Sequence, residues 1–330
     1  MPTNPKQMIR RTFHAVGGLR AVRYLNRKQV RILMYHRFTP SGAAAVQLRN
    51  QCSYVARRYR VVSLSAVIRA FHGQELLPDN ATVITVDDGY LDFFEVAYPI
   101  LRAHGLAATV FLVTDFLDGK DWLWIDKVRY CIQKTRVPRL DLELPNNETL
   151  SFELSNDSRR DSAASMINQS AKTLPNQARL ALIRELSERT ETEIPEAAPR
   201  EYASLTWGAV RAMSEDGIEF GAHTKTHPIL PQVESDAVLE QEILGSKTRI
   251  EEELSTQCKH FCYPNGDFDE RTVNAIKKAQ FESSVTVQNG LNPMNTDPFL
   301  LKRIGVEPYF PDVNFRHYIA GSLREMIRAL

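Results

Sequence analysis

Thr82-Val83-Ile84-Thr85-Val86 runs straight into Asp87-Asp88-Gly89, and the reading of this stretch decides the fold. The β-branched run is a strand, and the acidic pair with its glycine is the turn that ends it. Upstream, Arg31 to Tyr35 is a short apolar run that reads as a buried strand, and Val46 to Tyr59 and Ser65 to His72 look helical. Downstream, Phe93 to His104 reads as a helix closed by Gly105, and Ala107 to Val113 as a further strand. Strand, helix, strand spacing implies parallel strands joined by helical crossovers.

Residues 118–203 break the rhythm. They open with Trp122 and Trp124, continue through a polar stretch of hairpin character (Arg139 to Leu154), turn helical from Asp161 to Thr190, and end with Pro195 and Pro199. This is the pattern of an insertion or cap rather than of a second independent domain. The alternation then resumes. Thr206 to Glu215 is helical with Thr206 as its cap, Ile218 to Ala222 is a strand, and Ser235 to Leu254 is a long amphipathic helix. His260 to Tyr263, Asp267 to Ala279 and Ser283 to Val287 follow as strand, helix and strand.

Three chemical clusters sit at the C-terminal ends of expected strands: Tyr35-His36, Asp87-Asp88-Gly89 and His223-Thr224-Lys225-Thr226-His227. In a parallel barrel such ends converge on one face, where active sites are built. Two imidazoles and a carboxylate make a three-ligand metal site with open positions. Adjacent carboxylates repel, and a divalent cation relieves the repulsion while leaving one of them free to handle a proton. The bland readings stand beside these, since Asp-Asp-Gly is good turn chemistry and a lone histidine is more often structural.

Thr85-Val86-Asp87-Asp88-Gly89-Tyr90 together with His223-Thr224-Lys225-Thr226-His227 resembles the polysaccharide deacetylase family, carbohydrate esterase family 4, whose signatures are T-F-D-D-G and H-[ST]-x-x-H. Leu205-Thr206-Trp207 and Phe261-Cys262-Tyr263-Pro264-Asn265-Gly266 match its supporting context. The resemblance covers roughly residues 30–117 and 204–310. It implies an α/β fold, a distorted (β/α) barrel carrying a mixed, mainly helical insertion, and the removal of acetyl groups from N-acetylated sugars with a divalent metal. The expected organisation is a basic N-terminal segment (1–29), the first part of the barrel (30–117), the insertion (118–203), and the second part with a C-terminal helix (204–330).

The resemblance assigns Asp88, His223 and His227 as metal ligands, Asp87 as general base and the backbone N–H of Asn265 as oxyanion donor. Zinc suits such a set, and cobalt, nickel, iron or manganese also fit. Two departures matter. Cys262 stands where the usual third motif has an arginine bracing the catalytic aspartate, and no late Leu-x-His motif supplies the acid. Leu33-Met34-Tyr35-His36 resembles the circularly permuted poly-N-acetylglucosamine deacetylases, which assigns the acid to His36. Arg303 is expected to replace the missing arginine in space. Tyr35, Trp122 and Trp124 are candidate substrate contacts, the tryptophans by stacking on sugar faces. A metal amidase acting on a small non-sugar amide, and a catalytically silent glycan- or membrane-binding protein, are the competing readings.

Composition bounds the rest. The 330 residues are 43% hydrophobic and 25% charged, which excludes disorder and collagen-like structure for the bulk of the chain. Four cysteines without a Cys-x-x-Cys pair argue against a disulfide scaffold or a thiolate zinc cluster. The net charge of +1 hides an asymmetry: residues 1–74 hold 14 basic residues and no acid, and the remainder holds 27 basic and 40 acidic residues. An anionic partner suits such a front. A nucleic acid is not expected, because the basic residues lack interleaved aromatic platforms. Residues 6–28 read as an amphipathic basic helix that can lie on an anionic membrane (apolar positions Met8, Phe13, Val16, Leu19, Val22, Leu25). No stretch approaches the ~18 apolar residues of a spanning helix. The start lacks a secretory signal's apolar core, so the expected location is cytoplasmic, with the inner face of the membrane as the surface the basic helix could meet.

Overall fold

The computed structural model describes residues 18–38, 42–144 and 149–321. Its strands, in chain order, are β1 (Arg31–Tyr35), β2 (Arg60–Val61), β3 (Ala81–Val86), β4 (Thr109–Leu112), β5 (Arg139–Glu143), β6 (Thr149–Glu153), β7 (Glu219–Ala222), β8 (His260–Cys262), β9 (Ser283–Asn289) and β10 (Leu301–Gly305). Parallel pairings join β1-β10-β9-β8-β7-β4-β3, and β3 pairs with β1 in turn, so seven strands close into a barrel. The two-residue β2 pairs with β3 alone. Helices fill the crossovers, as parallel connections require.

The period of two along each strand sorts the core into two layers. Ile32, Val83, Phe111, Cys262, Val285 and Leu301 line the barrel interior with Leu64, Val67 and Ile68 of the helix Leu64–Phe71. Leu33, Ile84, Val86, Val110 and Leu112 face the surrounding helices. The interior is narrow: a Cβ at Gly221 would meet the Phe111 ring at 2.6 Å and the His260 carbonyl oxygen at 2.7 Å.

The structure departs from the sequence reading in several places, of which three bear on the site. The helix expected from Phe93 begins as a π turn (Phe93–Ala97) before the α-helix Tyr98–Ala103. Pro99 has no N–H for the regular ladder, and the wider turn accommodates it. The helical run expected over Asp161 to Thr190 is two helices, Asp157–Lys172 and Asn176–Arg189, because Pro175 cannot continue the first. The strand β10 has no counterpart in the sequence reading, for its two cations mask the alternation. Leu301 and Arg303 are fully buried, while Lys302 is exposed.

The insertion holds the antiparallel hairpin β5–β6 and has its own apolar cluster, built on Trp124, Val128, Ile132, Leu142, Ile167 and Leu186. Ile229, just beyond the His223 to His227 loop, packs into that cluster. Of the basic segment 6–28, residues 6–17 lie outside the described residues. The described part forms the helix Gly18–Leu25, which buries Leu19 and Val22 beside Ala320 and exposes Tyr24 and Leu25. No helix among the described residues is long and apolar enough to cross a membrane. All four cysteines are free and buried.

Candidate active site

The strand ends bring together residues more than a hundred positions apart. Asp87 and Asp88 close β3, His223 follows β7, His36 follows β1, and Arg303 rises within β10. Val83, Thr85 and Asp87 alternate onto the inward face, so Asp87 caps the barrel interior. Asp88 escapes that register by adopting a left-handed backbone (φ 75°), and Gly89 follows at φ 82°. The pair can therefore point in two directions.

Asp88 Oδ1 lies 3.4 Å from His223 Nε2 and 3.5 Å from His227 Nε2. The three donor atoms fall within 4.8 Å of one another, and all three residues are buried. Such separations are long for hydrogen bonds. They suit a shared tetrahedral ion, since ligand atoms about 2.1 Å from zinc stand about 3.4 Å apart. Electrostatics agree. Burial alone would lower the His223 imidazole, but Cys262 and Asp88 raise it well above the usual range. Burial and the nearby charge of His223 push His227 down to about 3. The donor set therefore fits a divalent metal.

His223 Nδ1 faces the Cys262 carbonyl oxygen at 2.7 Å, which aims Nε2 at Asp88. The loop between the two histidines is held by Glu242, from the helix Asp236–Leu254. Its carboxylate accepts from the N–H groups of Lys225 and Thr226 at 2.9 Å each and from Thr226 Oγ1 at 2.7 Å. Sequence reasoning missed Glu242. Its signal was there, an acid within the buried stripe Leu239, Glu242, Ile243, Ser246, Ile250.

Asp87 receives both arms of the Arg303 guanidinium, Nη1 to Oδ1 and Nη2 to Oδ2 at 2.7 Å each. Arg303 is itself fixed by donation to Thr286 O at 2.7 Å, to Thr85 Oγ1 at 3.2 Å and to Cys262 Sγ at 3.3 Å. The small Cys262 side chain leaves room for this guanidinium, which arrives from a strand two places away in the barrel. Burial pushes the Asp87 carboxyl up, but the charges of Arg303 and His36 outweigh it and hold it below the ordinary range. His36 Nε2 stands 3.5 Å from Asp87 Oδ2, and its side chain is 42% exposed, so this group faces incoming solvent or substrate.

Asn265 occupies the turn Pro264–Gly266 after β8 with a left-handed backbone (φ 55°), and its buried Nδ2 has no partner among the described residues. The three candidate substrate contacts are placed otherwise than expected. Tyr35 alternates outward from β1, where its hydroxyl donates to Gln51 Oε1 at 2.9 Å. Trp122 is buried against Tyr202 and Tyr130 and donates to Pro195 O. Trp124 is buried and donates to His227 O at 3.2 Å. None of the three offers a free face to a sugar, because each is consumed in packing.

Residues 177–284 match the family model described as Polysaccharide deacetylase. Among curated proteins, the chain is 20% identical over 245 residues to YxkH of Bacillus subtilis (strain 168), which is named after the polysaccharide deacetylases; the match covers 73% of this chain and 57% of that protein. A 57-residue stretch is 39% identical to the poly-beta-1,6-N-acetyl-D-glucosamine N-deacetylase of Escherichia coli (strain K12), covering 17% of this chain and 8% of that one. The chain thus spans little more than half the length of the first relative and a small part of the second. The barrel is shared with IcaB from Ammonifex degensii (TM-score 0.59, 15% identity, 89% of this chain and 96% of that one). It is also shared with the Streptococcus pyogenes deacetylase PplD (TM-score 0.58, 20% identity, 88% and 98%). The motifs stand in order at the strand ends of this barrel, and residues 177–284 match the polysaccharide deacetylase model, so over that stretch the chain is similar to that family.

Proposed function

We propose that this protein is a metal-dependent N-deacetylase acting on a GlcNAc-type sugar in a glycan or glycan precursor. The observation that carries the reading is one cluster at the strand ends with two separate devices: the donor set of Asp88, His223 and His227, and the clamped carboxylate of Asp87 beside His36. Asp88, His223 and His227 would hold a divalent ion, zinc by the chemistry of the set, which when bound would supply Lewis acidity and acidify a water.

The chain's own groups do the rest. Asp87, ionised and locked in orientation by Arg303, accepts the proton of the attacking water. The Asn265 N–H is the oxyanion donor. His36, the exposed member of the cluster, gives a proton to the departing amine, without which the amide's leaving group is too poor. The products are acetate and a free amino sugar. Burial of Asp87 and Asp88 limits competition from bulk water for the same hydrogen bonds.

The test uses the full chain, an N-acetylglucosamine oligomer and an assay for released acetate. Asp88→Ala, His223→Ala and His227→Ala should each lose bound metal. Asp87→Asn should keep the metal and lose about 10²–10⁴-fold in turnover. Acetate release by Asp87→Asn at the parent rate refutes the assignment of the base.

A further inference from the structure

The two imidazoles of the donor set are held by different means. His223 is fixed through its own ring, by Nδ1 against the Cys262 carbonyl. His227 has no such anchor: its Nδ1 is buried and without a partner among the described residues. Its orientation rests on its main chain. The His227 N–H donates to Thr224 Oγ1 at 2.9 Å, and the His227 carbonyl accepts from Trp124 Nε1 at 3.2 Å. Between these anchors the residue is left-handed (φ 59°), a conformation that a non-glycine residue keeps only where its surroundings over-determine it.

Trp124 belongs to the insertion, and so does the cation that faces its ring. The Arg179 guanidinium lies 4.9 Å from the indole centroid. Arg179 is 1% exposed, its Nη2 reaches Asn176 Oδ1, and its Nε and Nη1 have no partner among the described residues. A buried guanidinium with so few hydrogen bonds is costly, and the charge of Glu234 and the indole face offset that cost. Burial pulls it down to about 10, so it stays charged at neutral pH.

We infer that Trp124 and Arg179 are positioning residues for the metal ligand His227: the indole N–H sets the His227 carbonyl, and the guanidinium clamps the indole. The inference rests on the metal-site reading above and deepens it. The insertion is then part of the metal site, although it supplies no ligand. By linkage, metal binding must tighten the insertion as much as the insertion tightens metal binding.

The experiment compares the full chain with Trp124→Phe, which keeps an aromatic face but removes the N–H, and with Arg179→Met and Arg179→Lys. The readouts are zinc affinity by chelator competition, the visible spectrum of the cobalt-loaded chain, and the thermal midpoint of the metal-free chain. Trp124→Phe should bind zinc about tenfold more weakly and show an altered cobalt spectrum. Arg179→Met should move the same way, and Arg179→Lys should recover part of the loss. A packing role alone would lower the thermal midpoint and leave zinc affinity unchanged. Zinc affinity of a folded Trp124→Phe or Arg179→Met within twofold of the parent overturns the inference. Should the variants not fold, hydrogen exchange on the parent decides it: zinc should slow exchange in Trp124–Lys134 and Asn176–Arg189, and unchanged exchange there overturns it. A parent that binds no zinc sinks the metal-site reading itself, a separate outcome.

Discussion

Replacing Arg303 by methionine should cost far more alone than in company with Asp87→Asn. The guanidinium and the Asp87 carboxylate are both fully buried and joined by two bonds of 2.7 Å. Arg303→Met leaves a buried carboxylate with no cation bonded to it, at a cost of about 3–5 kcal/mol. Asp87→Asn leaves a buried guanidinium facing neutral groups, at a cost of similar order. The double variant orphans no charge, so it should fall short of the sum by about 3 kcal/mol or more. The sign with pH is also set. In the parent, the Asp87 carboxyl is held below its unfolded value, so its contribution is present above about pH 4 and is lost as pH falls through the folded-state value. In Arg303→Met, the largest charge opposing burial is gone and only the imidazoles of His36 and His223 still oppose it, so the carboxyl rises from its parent value and the penalty grows as pH rises through it. Urea denaturation of the metal-free chain and the three variants at pH 7 and pH 4.5 measures both effects. Additivity of the two single changes within about 0.5 kcal/mol at pH 7 refutes the argument that this pair is one electrostatic unit.

Two further outcomes follow from groups around the site. Asp126 accepts a hydrogen bond from the Tyr90 hydroxyl, yet burial pushes its carboxyl up to about 6. A folded-state value above the unfolded one means that stability falls as pH rises from about 4 to 6, by on the order of 3 kcal/mol. Asp126→Asn should flatten that slope and raise stability at pH 7.5, and an unchanged slope in urea titrations counts against it. Gly266, in the turn with Asn265, has φ 76°, and a Cβ there would lie 2.7 Å from the Val287 backbone nitrogen. Gly266→Ala should cost more than about 1 kcal/mol and lower turnover with it, whereas stability within about 0.5 kcal/mol of the parent contradicts the strain.

The alternation of strand and helix was legible because its signals are local. A β-branched run before Asp87-Asp88-Gly89, and the strand that runs into His223, carry their own periodicity and their own stops. The two motifs that could share an ion were legible for the same reason, since side-chain chemistry and spacing are written in the order of residues. Three things were not. Arg303 could be suspected but not aimed, because its partners Thr85, Asp87, Cys262 and Thr286 come from three other strands, and only barrel closure sets them around one guanidinium. Glu242 lies on a helix that was legible only as long and amphipathic, and the packing of that helix turns its carboxylate under the histidine loop. Trp124 looked like a sugar platform, and burial made it a donor to His227 instead. Sequence by itself indicated most of the elements and the motif residues suited to the chemistry, because both depend on neighbours in the chain. Tertiary structure alone decided the pairing of Asp87 with Arg303, the convergence of Asp88 on two imidazoles, and the hold of the insertion on one of them. Those depend on distances between residues that the chain keeps far apart and the closed barrel brings together.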